Sequence, residues 1–129
     1  MTEIKAVEFI QSKYDKENCL STVTVRSGNN FYTAHAKANG TDIDHASEFK
    51  GCTIAELKAN KKALKAQLNE LKRDYDVIHQ FVEKCKQSKN FDENSPVAKL
   101  MFRQENIAEK KVNLIQMGII TIENMLERY

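Results

Sequence analysis

Leu57, Leu64, Leu71, Ile78 and Cys85 recur every seven residues, and Leu68, Tyr75 and Val82 follow three of them by four. That is the apolar seam of a long helix seeking a partner helix. Such a helix runs for about 35 residues, or roughly 50 Å at 1.5 Å per residue, too long for one small core to bury. The expectation is a molecule that is in part a rod. Thr53-Ile54-Ala55-Glu56 reads as a capping box and places the helix start there, with its end near Lys86. Ser88 to Asn94 is a polar turn, and Ser95-Pro96 opens a second long helix by cap residue and first-turn proline. Two long helices joined by so short a turn run antiparallel.

The second helix is apolar over a wide surface. Leu100, Ile107 and Leu114 form one row, Met101, Ala108, Ile115, Ile122 and Tyr129 the next, with Gln104, Lys111 and Gly118 between. From Leu114 to Leu126 most residues are apolar, more than one partner helix covers. The excess must touch the hairpin, the first helix or a second copy of the chain, and the expectation is a homo-oligomer, a dimer or higher, with Ile115, Gly118, Ile119, Ile122 and Met125 as its interface. Gly118 is either a point of close approach or a tolerated interior glycine costing ~1 kcal/mol against Ala.

Ahead of the seam, Thr2 can cap a short helix to about Tyr14, with Ile4, Val7, Ile10 and Tyr14 on one side. Leu20 to Arg26 and Phe31 to Ala38 flank the turn Ser27-Gly28-Asn29-Asn30 and predict a β-hairpin. On its second strand Tyr32, Ala34, Ala36 and Ala38 share a face that accepts a closely packed helix, while Phe31, Thr33, His35 and Lys37 face solvent. Asn39-Gly40 turns the chain, and Thr41 to Lys50 is a third, irregular strand or a loop. The expected fold is α+β in a single domain, 1–129. A short N-terminal helix and a β-hairpin of two or three strands (1–52) pack at the base of a long antiparallel two-helix coiled-coil hairpin (53–129).

The net charge of +2 is unevenly spread: residues 51–89 carry 9 basic against 5 acidic side chains, and the segments on either side each carry one more acid than base. At 100° per residue, Lys58, Lys61, Lys62, Lys65, Lys72 and Arg73 lie within about 60° of Lys58 in either direction. This basic stripe borders the leucine seam, and it can follow a phosphate backbone or serve as the solvated face of a helix. Arg26, Tyr32, His35 and Lys37 are candidates for a small anionic pocket near the hairpin. The order helix, hairpin, third strand, then a helix opening with Lys58, Lys61 and Lys62 resembles in layout the double-stranded-RNA-binding domain. The resemblance implies phosphate contacts for those three lysines, although that family ends in a much shorter helix. At the far turn, Phe91 is either an anchor for a protein partner or folded back to staple the turn.

The chemistries run out quickly. His35, His45 and His79 have no ligand partner at metal-binding spacing, and Asp42-Ile43-Asp44-His45 lacks the glycine and the Glu of a calcium loop, so no metal is expected. Cys52 with His45 and Asp44 is the one local nucleophile candidate, with no oxyanion motif beside it. Neither a G-x-G-x-x-G nor a GK[ST] phosphate loop occurs, and no cofactor is expected. Cys19, Cys52 and Cys85 are odd in number and unpaired in spacing, as suits free thiols in a reducing compartment; with no apolar run of membrane length, the expectation is a cytoplasmic protein that does not engage a membrane. Sixteen Lys against four Arg, with eleven Asn, reads as AT-rich coding. Together these point to a small non-enzymatic, self-associating interaction protein, of the phage or bacterial accessory or inhibitor kind, binding a partner protein or small ligand. The alternative is a nucleic-acid binder using the lysine stripe.

Overall fold

The computed structural model describes residues 2–37 and 48–129. The class is α+β: a three-stranded antiparallel sheet of β1 (Val7–Asp15), β2 (Leu20–Ser27) and β3 (Asn30–Lys37) in that spatial order, followed by α1 (Glu48–Lys86) and α2 (Pro96–Leu126). Two compact units share these elements, one of Lys5–Ala66 with Gly118–Tyr129, the other of Met1–Ile4 with Gln67–Met117.

In the sheet-containing unit, the expected N-terminal helix is instead the strand β1. It pairs with β2 from Val7↔Ser27 to Asp15↔Leu20, with a bulge at Ile10, which has no partner between Phe9↔Val25 and Gln11↔Thr24. The inward face of β2 is Ser21, Val23, Val25 and Ser27, all buried. Val7 and Tyr14 lie across from its two ends and are the half-buried residues of β1. Because the bulge adds one residue, these two are seven apart rather than six, the spacing that helical periodicity also yields. The third strand therefore comes from the N-terminal segment, while 48–50, the end of the segment read as strand or loop, are helical. The rest of that segment, 41–47, and the Asn39-Gly40 turn lie outside the described residues.

The hairpin is as expected, β2 and β3 joined through Gly28-Asn29 with Gly28 at φ +63°. A positive φ at the first central residue is what a type II′ turn requires. The β1–β2 loop is held by Asp15, whose carboxylate accepts from the Glu17 and Asn18 amides and from the Asn18 side chain. These bonds, the Asn18 side-chain amide foremost, hold the Asp15 carboxyl below its usual range.

Ala34 and Ala36 of β3 meet Ala55, Ala59 and Ala63 of α1, and together with Val23 and Val25 they form the core, flanked by Val7, Tyr32 and Ile54. Alanines at i, i+4 and i+8 give the helix a flat stripe, so its backbone approaches the sheet closely. The closest point is Gly51, where a Cβ would collide with the buried Ser21 hydroxyl. Thr53 does not start the helix: α1 is already formed at Glu48, and the Thr53 hydroxyl donates to the Phe49 carbonyl at 2.8 Å.

In the other unit, Gln67–Lys86 of α1 and Pro96–Met117 of α2 bury Leu71, Val82, Ala98, Ala108 and Ile115. The entry to α2 is as expected, with the Ser95 hydroxyl accepting from the Ala98 amide at 3.1 Å and Pro96 in the first position. His79 Nδ1 meets Glu105 Oε2 at 3.3 Å, and Lys86 Nζ stands 5.5 Å from the Phe102 ring centroid. Contacts thus descend along α2 as they ascend along α1. Phe91 folds back, half-buried and edge-on to Phe102 with centroids 6.1 Å apart.

Candidate functional site

The lysine stripe is divided by its surroundings. Lys62 Nζ donates to the Thr33 carbonyl at 2.6 Å and Lys58 Nζ to the His35 carbonyl at 3.4 Å. Both acceptors lie on β3, an outer strand of the sheet, whose free side carries unpaired backbone groups. The match is geometric: residues i and i+4 of a helix are about 6 Å apart along its axis, and i and i+2 of a strand about 6.6 Å. Lys61 pairs with Glu123 at 3.4 Å. Lys65, Lys72 and Arg73 are exposed and have no ionic or hydrogen-bond partner among the described residues. The absence of an N-terminal helix also removes the layout that resembled the double-stranded-RNA-binding domain.

The four residues of the expected anionic pocket are not gathered. Arg26 is bound to Glu8 at 2.6 Å, and His35 Nδ1 lies 2.9 Å from the Thr22 hydroxyl, both on the outer face of the sheet. Tyr32 faces the core on the opposite side, and Lys37 pairs with Leu20, at the far end of the hairpin from the Arg26↔Phe31 pair. Of the expected oligomer residues, Ile115 and Ile119 are buried within the chain and Ile122 is half-buried. Gly118 faces Leu64, with an added Cβ at an ordinary 3.5 Å, so close approach is not what places it there. Met125 remains 42% exposed.

Met117 (66%) and Ile120 (49%) nearby are exposed as well, and a further set of exposed apolar side chains stands apart from these. In the helical unit, Leu100 (47%), Ile107 (38%) and Leu114 (61%) of α2 and Val77 (68%) and Phe81 (57%) of α1 are open to solvent. One flank of the helix pair is marked by Thr2, whose amide donates to Asp74 Oδ2 at 2.6 Å and whose carbonyl accepts from Lys111 Nζ at 3.2 Å. At 100° per residue, Val77 and Phe81 lie within about 60° of Asp74, and Leu100, Ile107 and Leu114 within about 60° of Lys111. All five share the Thr2 flank. The sequence carried half of this signal, since the Leu100 row was visible as a row, but not which of two adjacent rows would be buried.

Charge divides the same way. Arg73 and Lys84 of α1 and Arg103 and Lys110 of α2 fall within about 100° of Asp74 and Lys111 respectively, and all four are exposed. Within the helical unit, Glu70 is the one other acid of the helices on this side, besides Asp74. The opposite flank holds Asp76, Glu83, Glu105 and Glu109 together with Lys72 and Lys86, and Tyr75 is stacked there on His79 at 5.5 Å. There burial, and then the Glu109 and Glu105 carboxylates, push the Tyr75 hydroxyl above its usual pKa. On the Thr2 flank, hydrogen bonds from the Thr2 side chain and backbone hold the Asp74 carboxyl below its usual range.

Among the described residues no three His, Cys, Asp or Glu side chains are grouped to hold a metal ion, and no helix is long and apolar enough to cross a membrane. His45 and Asp44, the imagined partners of Cys52, lie outside the described residues. A cleft of about 230 Å³ at the helix turn is lined by Cys85, Phe91, Val97, Ala98 and Met101 among others, and its floor is the stapled turn itself. The exposed strip can bind an apolar surface. The chain matches no protein-family model, and neither a curated protein nor a solved structure is detectably similar to it.

Proposed function

We propose that this chain is a small non-enzymatic interaction protein of the cytoplasm. Its two helices pack as an antiparallel coiled-coil hairpin, and the apolar surface left on the hairpin is where a second copy or a partner protein docks. The seam residues Leu57, Leu64, Leu71, Ile78 and Cys85, all buried or half-buried, support the hairpin. The observation that carries the function is the exposed strip Val77, Phe81, Leu100, Ile107 and Leu114. These five large apolar side chains stand in two rows, one on each helix, and together leave on the order of 400 Å² open to solvent. The interface thus shifts one helical row from the Ile115 row to the Leu100 row.

Sedimentation velocity from about 1 to 100 µM tests this, with Ile107→Asp as the control. The expected result is reversible association that Ile107→Asp abolishes without loss of helical circular dichroism. A wild-type chain that stays monomeric throughout would refute self-association, and association unaffected by Ile107→Asp would refute the strip.

A second reading, nucleic-acid binding, is favoured by one observation: Lys65, Lys72 and Arg73 are exposed cations without partners among the described residues. It requires binding to a duplex that falls steeply with salt and is lost in a Lys65→Glu/Lys72→Glu/Arg73→Glu variant. No binding at low salt would dismiss it.

A further inference from the structure

We infer that the occupant which fits the exposed strip is an acidic amphipathic helix of a partner protein, an inference that rests on the strip being a docking surface. The row Leu100, Ile107 and Leu114 repeats every seven residues, the spacing at which a helix receives the side chains of another helix laid along it. From Leu100 to Leu114 the row is about 21 Å long, enough for about four turns of a partner. Phe81 of α1, about 20° from Asp74, lies nearest this row across the flank, so a partner laid along the row would form a three-helix layer with α1 and α2.

Charge selects the kind of helix. The strip is bordered on its outer sides by Arg73, Lys84, Arg103 and Lys110, exposed and without ionic partners among the described residues. Acidic side chains flanking an apolar stripe would meet these four cations. A second copy related by a two-fold axis would instead bring two basic borders together, so self-association here is the weaker mode and strengthens as salt screens the repulsion. A lipid surface fits less well, because the floor of the groove holds Asp74, Gln104 and Lys111 between the two apolar rows. An ionised carboxylate pressed toward acyl chains is costly.

The test uses the full chain and a fluorescein-labelled helical peptide of about 21 residues with Leu at heptad a and d positions and Glu flanking them. A control peptide carries Lys for every Glu, and vesicles of phosphatidylserine and phosphatidylcholine are the third probe. Anisotropy should report saturable binding of the Glu peptide that weakens about tenfold between low and moderate salt. Binding should be lost in Ile107→Asp and weakened about tenfold in Arg103→Glu/Lys110→Glu, whose exposed positions leave the fold intact. Equal binding of the Lys peptide, or tighter binding to vesicles than to the Glu peptide, overturns the inference. No binding of the Glu peptide by a chain that self-associates through Ile107 overturns the acidic helix alone. No binding by a chain that also stays monomeric overturns the docking surface itself.

Discussion

Replacing Gly51 with Ala sets local helix propensity against packing. Gly51 lies in the second turn of α1, where Ala is favoured over Gly by up to ~1 kcal/mol. Packing opposes the change, because the new Cβ would collide with the Ser21 hydroxyl and stand 3.3 Å from the Ser21 Cβ. Ser21 cannot move aside easily. It is 1% exposed on the inward face of β2, so another rotamer finds little room; among the described residues its Oγ has no hydrogen-bond partner. Forcing one extra methyl into such a contact costs about 1–3 kcal/mol. The net expectation for Gly51→Ala is a loss of about 1–2 kcal/mol, opposite in sign to propensity alone.

A double-mutant cycle isolates the cause. Ser21→Ala removes a buried, unpaired hydroxyl, which offsets the small void that it leaves, so this variant should stay within about 1 kcal/mol of wild type. In the Ser21→Ala background the collision is gone, the 3.3 Å approach relaxes by a few tenths of an ångström, and Gly51→Ala becomes neutral or stabilising. The coupling energy should be about 2 kcal/mol, read from urea midpoints at constant m-value by circular dichroism. A coupling below about 0.5 kcal/mol, or a Gly51→Ala variant more stable than wild type, would refute the close approach of α1 to β2.

Gly118→Ala should behave in the opposite way. Its Cβ meets Leu64 at an ordinary 3.5 Å, so the substitution is expected to stabilise by about 0.5–1 kcal/mol, seen as a raised thermal midpoint. Asp74 should contribute an acid-labile part of the stability. Its folded pKa lies below the unfolded value, so the Thr2 hydrogen bonds stabilise above the ordinary carboxylate pKa of about 4, and this is lost as pH falls through the folded pKa. Urea midpoints from pH 7 down to pH 2 should fall for wild type and fall less for Asp74→Asn, while Asp15 contributes an acid loss of its own in both. Identical acid profiles for the two proteins would exclude the Thr2–Asp74 contact.

Much of the fold was legible because it rests on local rules: the hairpin with its glycine turn, the alanine face of β3, the Ser95-Pro96 entry to α2 and the end of α1 at Lys86. The misread segments have a shared physical cause, which is that a tertiary neighbour changed the meaning of a local pattern. In β1 the inserted Ile10 turns a two-residue period into a seven-residue one, so Val7 and Tyr14 mimic a helix face. At Thr53 the hydroxyl, which a capping box uses as an acceptor, instead donates to the carbonyl four residues back once the helix extends upstream. In α2 two adjacent apolar rows are equivalent by periodicity, and only the position of α1 decides that Ala108 and Ile115 go inside while Leu100, Ile107 and Leu114 stay out.

The lysine stripe shows the same ambiguity with a functional consequence. Lys58 and Lys62 each precede by one residue an alanine packed on the sheet, Ala59 and Ala63, so both stand at the rim of the helix–sheet contact. A long flexible side chain at that rim reaches the outer carbonyls of β3 without disturbing the alanine stripe. An unpaired strand edge invites another strand, and a charged side chain laid over it discourages that pairing. Counting cations on a helical wheel cannot separate this use from phosphate binding, since both ask for lysines on one face. What separates them is the pairing of lysine with alanine at i and i+1, repeated after four residues. A phosphate-binding stripe has no need of buried alanines beside it, whereas a helix packed on a sheet face does.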